Sequence, residues 1–241
     1  MTFEQIRRIV GETPYMGIDE GWELYRFVTE TRPQACLELG HAHGVSSAYI
    51  AGALDEVGDG RLDTVDLLGS AGREPNVETL LAGTGLESRV VIHREKSSYT
   101  WFLKKKIEEQ SDNGVCVPCY DFCFIDGPKN WTIDGLAFFL VDKLLRPGGW
   151  ILFDDYTWSH GKHAGRDSTD GISIRGLSEQ EISEPHIEKI FKLLVMQHAD
   201  YSNFLLQDGW WAWAQKTPDG HRALAEGHKA MDGKTGRLRD S

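Results

Sequence analysis

The sequence has no positive charge to spare. Its 241 residues include 26 lysines and arginines against 37 aspartates and glutamates, for a formal net charge of −11. A surplus of that sign repels phosphate backbones and anionic headgroups, which argues against a nucleic-acid or membrane-surface partner. Long hydrophobic runs are missing too: no stretch approaches the roughly 18 to 20 apolar residues of a membrane-spanning helix. The opening residues, MTFEQIRRIVGETPY, lack the apolar centre of a signal peptide, so a cytoplasmic location is expected. Cysteine is scarce, with four in all: Cys36, Cys116, Cys119 and Cys123. Cys116 and Cys119 have the spacing of a redox or zinc knuckle, but no second pair completes a zinc set. Reduced, structural thiols are therefore expected. Internal repeats and clean linkers are absent as well, and a chain of this length suits one α/β domain with extensions.

What the chain does have is an alternation of short apolar segments with amphipathic ones. Segments 35–39, 61–65, 90–93, 120–125 and 150–153 are short and rich in aliphatic, aromatic and β-branched residues, and read as buried strands. Helical spacing of apolar residues falls between them at 45–54, 76–84, 98–110 and 132–145, and before them at 2–10 and 19–31. Arg146-Pro147-Gly148-Gly149 predicts a stop after the last of these helices. Residues 156–185 form a polar stretch long enough to be a lid or substrate-binding loop, or else plain disorder. A helix over 185–198 follows. Segments 201–207 and 210–215 then flank Asp208-Gly209, a strong hairpin signal. The tail from 217 is polar, with one candidate helix at 221–231. The pattern predicts a doubly wound, mostly parallel seven-stranded α/β sheet with an antiparallel C-terminal hairpin. Residues 1–34 would be N-terminal helices, 35–216 the sheet domain and 217–241 a tail.

Chemistry concentrates at the ends of the strands. Strand 120–125 runs into Asp126, and strand 150–153 into Asp154 and Asp155. The helix between them requires parallel strands, which brings these carboxylates to the carboxyl edge, where open α/β sheets bind ligands. Three carboxylates repel unless one keeps its proton or a cation joins them. Hard oxygen ligands suit Mg²⁺, Ca²⁺ or Mn²⁺; the alternative is a turn cap beside solvated loop charges. From Glu38 to Gly44 the first strand passes into its helix through E-x-G-x-x-x-G, a loop that lets backbone approach a ligand. It is not the G-x-G-x-x-G of a dinucleotide site, which disfavours a nicotinamide-dependent oxidoreductase. A non-catalytic cofactor-binding or assembly protein is a second rival, with Trp210, Trp211 and Trp213 of the hairpin as an oligomer contact or as ordinary packing. Asp66, ending the second strand, is placed to accept from both hydroxyls of a ribose, or to cap a turn.

Together the loop, Asp66, Phe124-Ile125-Asp126-Gly127 and the stretch from Leu144 to Asp155 resemble class I S-adenosylmethionine-dependent methyltransferases. More narrowly they resemble the catechol and caffeoyl-CoA O-methyltransferase-like branch and related natural-product and sugar O-methyltransferases, from about Tyr15 to Gln215. The resemblance implies a Rossmann-like methyltransferase fold, S-adenosylmethionine as cofactor and Mg²⁺ or another divalent cation. It also implies methyl transfer to a hydroxyl of a small molecule, with phenol, sugar and polyketide acceptors all open. It assigns Glu38, Gly40 and Gly44 to the cofactor loop, Ser46 to the methionine carboxylate and Asp66 to the ribose. Ser97 falls by the adenine, with Ser98 as the register alternative. Tyr15–Gly21 would lie over the methionine end, bringing Met16 and Ile18 to the cofactor, so that 1–34 covers its site. Asp126, Asp154 and Asp155 fall on the metal positions, with Asp126 also beside the cofactor. Lys129 falls on the catechol enzymes' base, or is a solvent-facing lysine. His160 and His163 are rival bases, or solvated loop residues. The acidic base of the sugar enzymes is replaced here by Pro128. Tyr99, Trp101, Trp131, Tyr156 and Trp158 are candidates to stack on a flat acceptor or to pack. No partner beyond the acceptor is implied; a homodimer is common among the enzymes resembled.

Overall fold

The computed structural model describes residues 1–163 and 176–218. Two helices lead in, α1 (Phe3–Val10) and α2 (Ile18–Thr31). The sheet then alternates with helices as the periodicity predicts: β1 (Ala35–Leu39), α3 (Val45–Val57), β2 (Arg61–Leu67), α4 (Val77–Thr84), β3 (Val90–Glu95), α5 (Tyr99–Glu109), β4 (Tyr120–Ile125), α6 (Trp131–Leu144) and β5 (Leu145–Phe153). Short helices α7 (Glu179–Ser183) and α8 (His186–Ile190) precede the hairpin of β6 (Tyr201–Gln207) and β7 (Trp211–Lys216). Local chemistry sets the helix starts. Asn76, Ser98 and Asn130 each accept a backbone N–H of the first turn with the side-chain oxygen. Gly58 and Gly85, in the left-handed region, end α3 and α4.

The strands lie in the order β3-β2-β1-β4-β5-β7-β6, with β1 to β5 parallel and β7 and β6 antiparallel. The chain winds outward from β1 through β2 to β3, then crosses back to place β4 on the other side of β1. That reversal opens a crevice at the carboxyl ends of β1 and β4. Leu39 is level with Ile125, and Ile125 with Phe153, so the residues that follow each strand emerge side by side. Both faces of the sheet are covered. Phe122 and Phe124 of β4 point to the face packed by α1 to α4, and Cys123 and Ile125 to the face packed by α5, α6 and α8. Burial on both sides explains the near-continuous apolar runs of β1 and β4.

Several sequence expectations shift. The Arg146–Gly149 stop belongs to β5, which begins as soon as α6 ends. A register shift between Tyr120 and Phe122, and Gly148 at φ +83°, take up the Pro-Gly-Gly within the ladder. The helix expected over 185–198 is α8 followed by a π turn, Phe191–Val195. The described part of 156–185 holds a 3₁₀ turn, His160–His163, and α7. Trp211 and Trp213 are buried with Phe122 and Phe27 in the core, so packing within the chain accounts for them. All four cysteines are free, and burial pushes the Cys119 thiol up to about 11, as suits structural thiols. The candidate helix at 221–231 and the tail beyond 218 lie outside the described residues.

Candidate active site

The loop after β1 is held in shape by backbone that a side chain would block. Gly40 has φ +98°, and a Cβ there would stand 2.1 Å from the carbonyl oxygen of Asp126. Gly44, at φ +94°, is also crowded, a Cβ there standing 2.7 Å from Val77. Asp66 ties the loop down: its Oδ2 accepts the N–H of His41 (3.1 Å) and of Ala42 (2.7 Å), and its Oδ1 accepts Leu67 N–H (2.6 Å). Below the loop runs a buried polar chain. Glu38 accepts from the hydroxyls of Ser47 and of Thr64 (2.5 Å), and burial holds its carboxyl above the usual range. Thr64 also meets His41 Nδ1 at 3.0 Å, and His41 Nε2 meets Ser70 at 3.1 Å.

The three strand-end aspartates converge. One oxygen from each of Asp126, Asp154 and Asp155 can be chosen so that all lie within 4.8 Å of one another. Trp211, from β7, donates its indole N–H to Asp154 Oδ1 at 2.7 Å. Lys129 enters from the loop before α6, with φ +61° and 5% exposure. Its Nζ pairs with Asp126 and lies 3.4 Å from oxygens of both Asp154 and Asp155. Burial works against that ammonium, but the three carboxylates outweigh it and hold the amine well above the ordinary lysine range.

Loop and carboxylates open into one cleft of about 510 Å³. Gly40, Ala42, Asp66 and Leu67 line one part of it, and Asp126, Lys129, Asp154 and Asp155 another. Ser98 lines it as well, whereas Ser97 is exposed. Glu38, Gly44 and Ser46 shape the loop without lining the cleft, Glu38 and Ser46 being buried. From the N-terminal segment it is Tyr15 and Glu20 that reach the cleft. Met16 packs half-buried on the core and Ile18 is 45% exposed. Among the aromatic candidates, Tyr99 and Trp158 line the cleft, Tyr156 is buried, and Trp101 and Trp131 face outward. His160 is a cleft residue rather than a solvated one. It is 7% exposed, with its ring 4.7 Å from that of Trp158. The side chain of His163 lies outside the described residues.

Sequence reasoning placed Tyr15–Gly21 over the cofactor but singled out Met16 and Ile18 rather than Glu20, and it missed Arg73 and Trp210 as cleft residues. Glu20 carries a local signal, since it accepts Gly17 N–H at 2.7 Å as a helix cap would. Its other surroundings come from the docking of α2. Burial first, then Asp154 and Asp155, raise its carboxyl above the ordinary range. Arg73 lies over the Tyr15 ring at 5.4 Å, and Tyr15 stacks on His43 at 5.6 Å. Nothing in the residue order announces that cluster.

Residues 37–156 match a family model described as a methyltransferase domain. No curated protein matches the sequence. Among solved structures, the chain is similar to the O-methyltransferase of Bacillus cereus in complex with S-adenosylhomocysteine. There the identity is 20%, 89% of this chain and 90% of that one are covered, and the TM-score is 0.61. The O-methyltransferase TomG of Streptomyces achromogenes, involved in tomaymycin synthesis and solved with S-adenosylmethionine, gives 19% identity, 89% and 87% coverage and a TM-score of 0.59. The S-adenosylhomocysteine-bound methyltransferase PaMTH1 of Podospora anserina gives 15%, 89% and 86%, and 0.62. At such identities the likeness establishes the fold. With the matched segment spanning the cofactor-type loop and all three carboxylates, the chain belongs to the methyltransferase-domain family, on the class I seven-stranded methyltransferase fold.

Proposed function

We propose that this protein transfers the methyl group of S-adenosylmethionine to a hydroxyl oxygen of a small molecule, assisted by a divalent cation. The observation that carries the reading is that a single cleft joins the loop pinned by Asp66 to the Asp126, Asp154 and Asp155 trio.

The residues present fit both groups. Gly40 leaves backbone exposed where any Cβ would collide, and Asp66 stands at the β2 end, where an acidic side chain meets a ribose. We assign Gly40 and Asp66 to the cofactor, with Ser98 in place of Ser97 for the adenine; Glu38, Gly44 and Ser46 support the loop from beneath, and Met16 and Ile18 lie outside the cleft. Bound there, the cofactor supplies an electrophilic methyl on a sulfonium. Asp126, Asp154 and Asp155 present a hard-oxygen set suited to Mg²⁺. Held by these three carboxylates, a divalent cation would supply Lewis acidity that favours the ionised form of an acceptor hydroxyl. Trp211 holds the Asp154 carboxylate in orientation, while Tyr99 and Trp158 offer aromatic walls. The acceptor proton needs a base. Lys129 stands nearest the carboxylates and is our assignment once its amine is free of them, with His160 the second candidate in the cleft.

The test is methyl transfer from isotopically labelled cofactor to a panel of phenols, sugars and polyketide alcohols, with Mg²⁺ and with EDTA. Asp154→Ala is expected to lose transfer by about two orders of magnitude or more and to keep S-adenosylhomocysteine binding. Full activity of Asp154→Ala in EDTA contradicts the metal-assisted step.

A further inference from the structure

We propose that the Lys129 ammonium is a tethered cation seated where a divalent ion would bind, so that ion binding and lysine seating exclude one another. This rests on the metal-assisted reading above. Lysine is among the side chains least often buried, yet Lys129 retains 5% exposure. Its backbone adopts φ +61° directly after Pro128, and its side chain reaches the carboxylates at the ends of both β4 and β5. Its Nζ is in ion-pair contact with Asp126, Asp154 and Asp155 together.

A divalent ion draws carboxylate oxygens to about 2.0–2.6 Å. The point from which one ion reaches all three residues is the neighbourhood the amine already holds. Two cations at that spacing repel, and the oxygens cannot close around the ion while the ammonium stands among them. Three carboxylates against one ammonium keep a net negative charge, so the trio still attracts the ion. The lysine therefore weakens ion binding without abolishing it, and the trio stays compensated when the ion is away.

The experiment is a Mn²⁺ titration of metal-stripped protein, without cofactor, followed by electron paramagnetic resonance of the free ion. A seat filled by lysine about nine parts in ten weakens apparent binding about ten-fold, so Lys129→Met is expected to bind Mn²⁺ about ten-fold tighter than wild type. Equal or weaker binding by Lys129→Met overturns the competition and leaves the metal-assisted reading standing. Absence of binding to both proteins at millimolar Mn²⁺ overturns both. If Lys129→Met does not fold, wild type alone supplies the test. Acylation of Lys129 by an amine-reactive reagent, read by peptide mass spectrometry, is expected to be slow in EDTA and several-fold faster with saturating Mn²⁺. Unchanged or slower acylation with Mn²⁺ overturns the proposal.

Discussion

His41 shows how one side chain serves the loop in two ways. Its backbone N–H faces Asp66, and its ring bridges Thr64 and Ser70 from a position 2% exposed. Burial, helped by Arg94, lowers its pKa from 6.5 to about 4. The unfolded chain thus takes up a proton below about pH 6.5 that the folded chain refuses until about pH 4. Stability is full above that window and falls as the pH drops through it, by at most about 3 kcal/mol. Urea denaturation across the window is expected to show a shallower loss for His41→Gln than for wild type. Parallel losses would contradict the assignment. At this scale the sequence was partly legible. Asp66, Gly40 and the aspartates announced themselves, because a strand end followed by glycine or aspartate is a local pattern. The roles of His41 and Glu20 were not legible, because their partners come from other segments: Thr64 and Ser70 for His41, Asp154 and Asp155 for Glu20.

Among the elements, the register of β1, β4 and β5 does the positioning, since Leu39, Ile125 and Phe153 end level. The C-terminal hairpin adds to it. β7 lies antiparallel to β5, and from there Trp211 hydrogen-bonds Asp154. Trp211→Phe keeps most of the buried ring and removes the donor. A hydrogen bond to a charged group contributes about 1.5–3 kcal/mol. We therefore expect metal-dependent turnover to fall by about ten-fold or more, with circular dichroism and cofactor-product affinity unchanged. Unchanged turnover would show that Asp154 needs no such support. The strand ends and the Asp208-Gly209 turn were readable from periodicity and turn chemistry. The early start of β5 and the π turn after α8 were not. Both depend on how a local irregularity is absorbed by a neighbouring strand or helix, which no single segment encodes.

At the scale of the whole molecule, no described helix is long and apolar enough to cross a membrane, and the net charge of −11 leaves acid in excess. The cleft follows the same bias. Among its lining residues Arg73 and Lys129 are the lysine and arginine side chains, set against Glu20, Asp66, Asp126, Asp154 and Asp155. The doubly wound parallel sheet and its antiparallel hairpin followed from the alternation of segments and the Asp208-Gly209 turn, whereas the strand order came only with the pairing. The joining of loop and carboxylates in one cleft did not follow from them either, because it needs the level strand ends that only pairing creates.

The most direct test of the central claim is calorimetric titration of S-adenosylhomocysteine into wild type and Asp66→Ala. Wild type is expected to bind at micromolar concentration and Asp66→Ala to lose at least about ten-fold in affinity, the 1.5–3 kcal/mol expected of a charged hydrogen-bond acceptor. Failure of wild type to bind, or equal affinity in the two proteins, would contradict that claim.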